Sequence, residues 1–111
     1  MSATDSMGDL EMAARLFKVL GNETRLRLLV LVDDEPCTVG GLVDRAGVSQ
    51  PLASQHLRTL REAGLVSAAR AGREVTYTVA DHHVTHVVRD ALEHVREEAS
   101  HPGPGNPKEP S

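Results

Sequence analysis

One cysteine, one phenylalanine, one tyrosine and no tryptophan occur in the 111 residues of this chain. The lone Cys37 cannot close an internal disulfide. It also leaves a dithiol redox switch or a thiolate metal cluster without its second sulfur. With so few aromatics, a core has to be built from Leu, Val and Ala, side chains that suit small packed helices. Long apolar runs are missing as well. The longest, LLVLV at residues 28–32, falls far short of the roughly 20 residues that a membrane-spanning helix needs. The opening MSATDSMGDL has no basic stretch followed by an apolar one, so no signal peptide is expected. These absences leave one expected domain, with a modest core, in a cytoplasmic protein that has no membrane partner.

An excess of positive charge is also absent, since the net charge is −4. Its distribution is uneven, and that matters more for nucleic-acid binding than the sum. Residues 49–78 carry Arg58, Arg61, Arg70 and Arg73 against only Glu62 and Glu74, so the middle of the chain is locally basic. Both flanks are net acidic.

The pattern of apolar residues orders the chain. Residues 1–7 are expected to be disordered, and residues 8–100 to form the domain. The tail HPGPGNPKEPS, residues 101–111, holds four Pro and two Gly and is expected to stay disordered. Leu10, Ala13, Ala14, Phe17 and Leu20 share one face of a first helix that Gly21 ends. Asn22 is placed to cap a second, nearly all-apolar helix that DDEP interrupts. Thr38 caps a short helix, VGGLVDRA. GVS at 47–49 reads as a tight turn, with Gly47 free to take positive φ. Ser49 caps QPLASQHLRTLREA, with Pro51 tolerated in its first turn. Ala53, Leu57, Leu60 and Gly64 lie on one side of that helix. Pro51, Ser54, Gln55 and Arg58 lie on the other. Two alternating runs, at 66–70 and 75–79, flank an Ala-Gly turn and predict a β-hairpin. Asp81 opens the last helix. The fold class is therefore mainly α with a β-hairpin (α+β), a helix-turn-helix followed by a wing.

LGNETRLRLL, VSQPLASQHLRTLREAGLV, GREVTYTV and DHHVTHVVRDALEHVREE together resemble the ArsR/SmtB family of metal-responsive repressors, over residues 8 to 98. The resemblance is to the branch that senses zinc through the last helix. It implies a homodimer that pairs through its terminal helices, holds double-stranded operator DNA when metal-free, and releases it when zinc binds. It implies no enzymatic activity. Members that sense soft metals near the third helix carry Cys-x-Cys there. EPCTVGG has Cys37 alone, which argues against such a site and for a small, half-buried apolar role.

The last helix carries the metal chemistry. Val84, Val87, Val88, Ala91, Leu92 and Val95 form an apolar stripe. His83 and His94 are about 16 Å apart along the axis, while a zinc–nitrogen bond is about 2 Å. One helix cannot bring both to one ion. Two antiparallel copies can, by setting Asp81 and His83 of one chain against His94 and Glu97 of the other. Two nitrogens and two carboxylates suit zinc or cobalt. The spacing also matches the family's last-helix zinc site. Another metal (cobalt, nickel, cadmium) or a non-metal signal is the alternative. His82 and His86 form a competing pair, Glu93 and Glu98 are substitutes for Glu97, and a solvated outer face with scattered histidines is the bland reading.

On the DNA side, Ser49, Gln50, Ser54 and Gln55 are candidates to read base edges from the N-terminal part of the recognition helix. Arg58, Arg70 and Arg73 are expected at phosphates or in the minor groove. His56, at the margin of the packed face, is expected to be structural.

Overall fold

The computed structural model describes residues 3–100, and the side chains of residues 8–99. The expected unfolded tail at 101–111 lies outside these residues. Among the described residues, five helices and three short strands follow in the order α1 (Ala3–Leu20), α2 (Glu23–Asp34), β1 (Cys37–Thr38), α3 (Val39–Ala46), α4 (Gln50–Glu62), β2 (Val66–Ala71), β3 (Glu74–Val79) and α5 (His82–Ser100). Helix α1 thus takes in residues 3–7 of the stretch expected to be disordered.

Local chemistry sets the boundaries. The Asn22 side chain accepts the Arg25 N–H at 3.0 Å and caps α2. That helix continues through Asp33 and Asp34, past the break expected there. Two carboxylates at a helix C-terminus oppose the macrodipole. Arg89 of α5 compensates them, with Nε 2.9 Å from Asp33 Oδ2 and Nη2 2.6 Å from Asp34 Oδ1. These hydrogen bonds, to Asp34 first and then Asp33, raise the pKa of the Arg89 guanidinium. Thr38 accepts the Gly41 N–H and caps α3, and Gly47 ends that helix at φ 70°. Ser49 then caps α4 by accepting the Leu52 N–H at 3.3 Å.

The sheet is antiparallel, in the order β1-β3-β2. Val66 pairs with Val79 and Arg70 with Val75, which makes the hairpin. Its two-residue loop is Gly72-Arg73, one residue later than the expected Ala-Gly turn. Gly72 has φ 66° and, among the described residues, no non-glycine residue has positive φ, the pattern of a type II′ turn. Strand β1 went unforeseen because two residues carry no alternation to detect. It pairs Cys37 with Tyr77 and Thr38 with Thr76. Cys37 is thereby buried rather than half-buried.

Leu28, Leu29, Leu42, Leu57, Leu60 and Leu65 are the largest fully buried side chains among the described residues, and α2, α3, α4 and the sheet pack around them. The first helix behaves differently. Leu10 and Phe17 of its expected inner face are exposed, and only Leu20 is buried. The stripe on α5 is divided in the same way. Val84 and Val88 enter the core, while Val87 and Val95 stay exposed. Phe17, Leu20, Leu26, Val87, Ala91 and Val95 line an open apolar groove between α1 and α5.

Deleting a core side chain should cost more than straining one turn. Leu57→Ala is expected to lower unfolding free energy by about 2–5 kcal/mol. Gly47→Ala, forced to left-handed φ, should lower it by about 1–2 kcal/mol. Urea unfolding of both proteins measures the difference, and equal losses would show that the interior around Leu57 is loosely packed.

Candidate DNA and metal sites

Helix α4 presents its outer face because its inner face is committed. Ala53, His56, Leu57 and Leu60 are buried, whereas Ser49, Gln50, Ser54, Gln55 and Arg58 are exposed. The spacing of three and four residues between the buried positions forces this division. Ser54, Gln55 and Arg58 come together with Pro51, Arg61 and Tyr77 around one open trough of about 350 Å³ between α4 and the sheet. Ser49 and Gln50 lie at the N-terminal end of the helix, where the Ser49 oxygen already accepts the capping N–H. Arg70 and Arg73 are exposed in the hairpin, near and in its turn, and do not line the trough.

The arginines fall into two groups. Arg25, Arg27, Arg45 and Arg89 are held by protein partners. Arg58, Arg61, Arg70 and Arg73 have no ion-pair partner among the described residues. Arg15 and Lys18 of α1 and Arg96 of α5 are likewise without an ion-pair partner among the described residues, so what distinguishes the cations of α4 and the hairpin is their place beside the exposed face of α4. Two residues of the trough were missed in the sequence. Arg61 could have been found, since it follows Arg58 by three residues and shares its face. Tyr77 looked like an ordinary inward residue of an alternating strand.

His56 is structural, as expected. Its Nδ1 accepts a hydrogen bond from Arg25 Nε at 3.1 Å, and the same guanidinium donates from Nη1 to the Val19 carbonyl at 3.2 Å. One contact set thus ties α4 to α2 and to the end of α1. Burial, and then the neighbouring Arg25 charge, hold the His56 pKa below the ordinary 6.5.

At α5, the Asp81 Oδ1 accepts the Val84 N–H at 3.2 Å, which makes Asp81 the helix cap. The same atom lies 3.9 Å from His83 Nδ1, so the cap geometry brings together two groups that a continuous helix would splay apart. At the other end, His94 Nε2 is 4.0 Å from Glu98 Oε2, and Glu97 is exposed three residues beyond His94. His86 Nε2 lies 3.6 Å from Asp90 Oδ2, and His82 is exposed one turn earlier. Among the described residues, no group of three or more His, Cys, Asp or Glu side chains is assembled for a metal ion within one chain. Cys37 sits apart from these donors, with Arg45 Nη1 3.3 Å from its sulfur and Glu35 ion-paired to the same guanidinium.

Residues 22–68, which span α2 to the start of the hairpin, match the arsR family of bacterial regulatory proteins. Over 90 residues the chain is 42% identical to the HTH-type transcriptional repressor SmtB of Mycobacterium tuberculosis, an alignment covering 81% of this chain and 67% of that protein. The chain belongs to the arsR family. Another relative, a probable mercury resistance operon repressor of Streptomyces lividans, is 41% identical over 75 residues, which are 68% of this chain and 60% of that one. Among solved structures, the homodimeric winged helix-turn-helix DNA-binding domain of a possible ArsR-family regulator from Mycobacterium bovis superposes with a TM-score of 0.73. It is 28% identical and covers 88% of this chain and 90% of its own. The fold is thus a winged helix-turn-helix of this regulatory family. Among the described residues, no helix is long and apolar enough to cross a membrane.

The lowered His56 pKa has a pH signature. Below 6.5 the unfolded chain takes up the proton before the folded chain does. The stabilisation is therefore complete above about pH 6.5 and is lost as pH falls through the lower folded value. His56→Gln keeps an acceptor for Arg25 but cannot titrate. Urea midpoints at about pH 7.5 and about pH 5.5 should fall more in the wild-type protein than in this variant. An equal fall in both would assign the acid loss to other groups.

Proposed function

We propose that the protein is a zinc-responsive transcriptional repressor, a homodimer that holds operator DNA and releases it when zinc binds between the two α5 helices. One observation carries this reading. Imidazole and carboxylate side chains stand at both ends of helix α5, with an uncovered apolar patch, Val87, Ala91 and Val95, between them. A second copy laid antiparallel on that patch, with exposed Phe17 of α1 alongside, would remove apolar surface from water. It would also bring opposite ends of the two helices together. The homodimeric Mycobacterium bovis relative has the same fold, which supports the assembly.

The donors fit zinc. Asp81 and His83 of one protomer, with His94 and Glu97 of its partner, would make a set of two imidazoles and two carboxylates without sulfur. Asp81 and His83 already stand 3.9 Å apart. Ligand atoms about 2.0–2.1 Å from one tetrahedral ion are themselves about 3.3 Å apart, so a small side-chain adjustment suffices. Glu98, near His94, is the substitute for Glu97. The chemistry that the ion supplies when bound is a cross-link between the two helices.

The chain has a short path from that cross-link to DNA. Ala80, just before Asp81, donates its N–H to the carbonyl of Leu65, just after α4, at 2.9 Å. Val66 pairs with Val79 beside it. The N-terminus of α5 is thus tied to the C-terminus of α4, and a fixed α5 pair fixes the tilt and spacing of the two α4 helices. On α4, Ser49, Gln50, Ser54 and Gln55 would address base edges, with Arg58, Arg70 and Arg73 at the phosphates or in the minor groove. If the fixed arrangement fits the operator less well, linkage requires that DNA weakens zinc binding by the same factor, about 1–3 kcal/mol in typical cases.

Fluorescence anisotropy of labelled DNA from upstream of its own gene, with zinc and then with chelator, tests the reading. Zinc should weaken binding of the wild-type protein. Asp81→Ala and His94→Ala should bind DNA and ignore zinc, while Cys37→Ser should respond normally. X-ray absorption should show only nitrogen and oxygen neighbours at about 2.0–2.1 Å, and a sulfur shell at about 2.3 Å would overturn the ligand set. DNA binding that is equal or tighter with zinc would overturn release.

A further inference from the structure

We propose that Tyr77 and Arg61 complete, with Arg58, a seat for one backbone phosphate of the DNA, in the trough between α4 and the sheet. The inference rests on the DNA-binding reading above and adds two residues to it. Tyr77 belongs to the central strand β3 and is 92% buried, with 8% of its surface exposed. Its hydroxyl has no hydrogen-bond partner among the described residues. A buried phenol ordinarily finds one, because an unsatisfied hydroxyl costs free energy. Here the residue borders the open trough that Ser54, Arg58 and Arg61 also line. Both guanidinium groups are without an ion-pair partner among the described residues. A neutral O–H donor that shares one trough with two free cations is a donor set for a tetrahedral, negatively charged group of oxygen acceptors.

The place of the trough identifies the acceptor. A recognition helix occupies the major groove, and a wing beside it reaches the adjacent minor groove. One sugar–phosphate strand separates those two grooves. With α4 on one side and the hairpin on the other, that strand must pass over the trough. Tyr77 would then donate its O–H to a phosphate oxygen, with Arg58 and Arg61 donating N–H groups alongside. Such contacts set register and depth and carry no sequence preference. The role of Tyr77 and Arg61 is to position α4, so that Ser54 and Gln55 meet base edges.

Tyr77→Phe removes one oxygen and keeps the ring in the core. Anisotropy titrations over a range of salt would compare it with the wild-type protein on DNA from upstream of the gene and on a scrambled duplex of equal length. Binding should weaken about tenfold on both duplexes. The salt dependence should not change, because no cation is lost. The melting temperature should be unchanged or higher, since the hydroxyl has no protein partner to lose. Arg61→Gln should lower the slope of log affinity against log salt by about 0.9. If Tyr77→Phe melts lower, the Arg61→Gln slope decides the matter: a fall supports the seat, and no change overturns it. Wild-type affinity in Tyr77→Phe, or a loss confined to the upstream duplex, would overturn the phosphate seat and leave the DNA-binding reading standing. A wild-type protein that binds neither duplex would overturn both.

Discussion

The burial of one face of α4 is the constraint on which the rest of the structure depends. Ala53, Leu57 and Leu60 are withdrawn completely from solvent against α2, α3 and the sheet. A helix has no freedom to rotate once those positions are inside. Ser54, Gln55 and Arg58 are then outside by necessity, and the cap at Ser49 and the left-handed Gly64 just past the C-cap Ala63 determine where the exposed face begins and ends. His56 adds direction to this packing. Its hydrogen bond from Arg25, and the bond from Arg25 to Val19, lock α4 to two other helices through one guanidinium. Apolar burial supplies the driving force, and the polar contact selects one arrangement among the packings that burial alone would allow.

Charge is used for two purposes. Arg89 offsets Asp33 and Asp34 and so attaches α5 to the end of α2, while Arg45 and Glu35 pair over the sulfur of Cys37. These cations hold the scaffold. The cations of α4 and the hairpin have no such duty, which leaves them available to an outside anion.

The outer helices are unfinished in a single chain. Leu10 and Phe17 on α1, with Val87 and Val95 on α5, stand in solvent, although their spacing is that of residues meant for burial. In the proposed dimer the same surface both joins the subunits and sets the distance between the two α4 helices. Assembly and regulation would then use one interface, with the Ala80–Leu65 hydrogen bond as the link to α4.

Much of this was determined by the sequence alone. The caps at Asn22, Thr38, Ser49 and Asp81, the turn at Gly47 and the inner positions Ala53, Leu57 and Leu60 of α4 follow from nearest-neighbour chemistry and helical period, and each stands where the sequence placed it, whereas Gly64, expected on that same face, is exposed beyond the end of the helix. The candidate donors of α5 were legible as types and spacings. Other features depended on contacts between residues far apart in the chain. Two-residue β1 exists only because β3 lies beside it, and α2 runs on through Asp33 and Asp34 because Arg89, 55 and 56 residues away, meets them. The apolar stripes of α1 and α5 showed which residues avoid water but not what covers them, since periodicity gives the orientation of a face and not its neighbour. Tyr77 is the plainest case. Its alternating position announced a buried ring, and only the packing of the sheet beneath α4 decided that the residue would also border the trough.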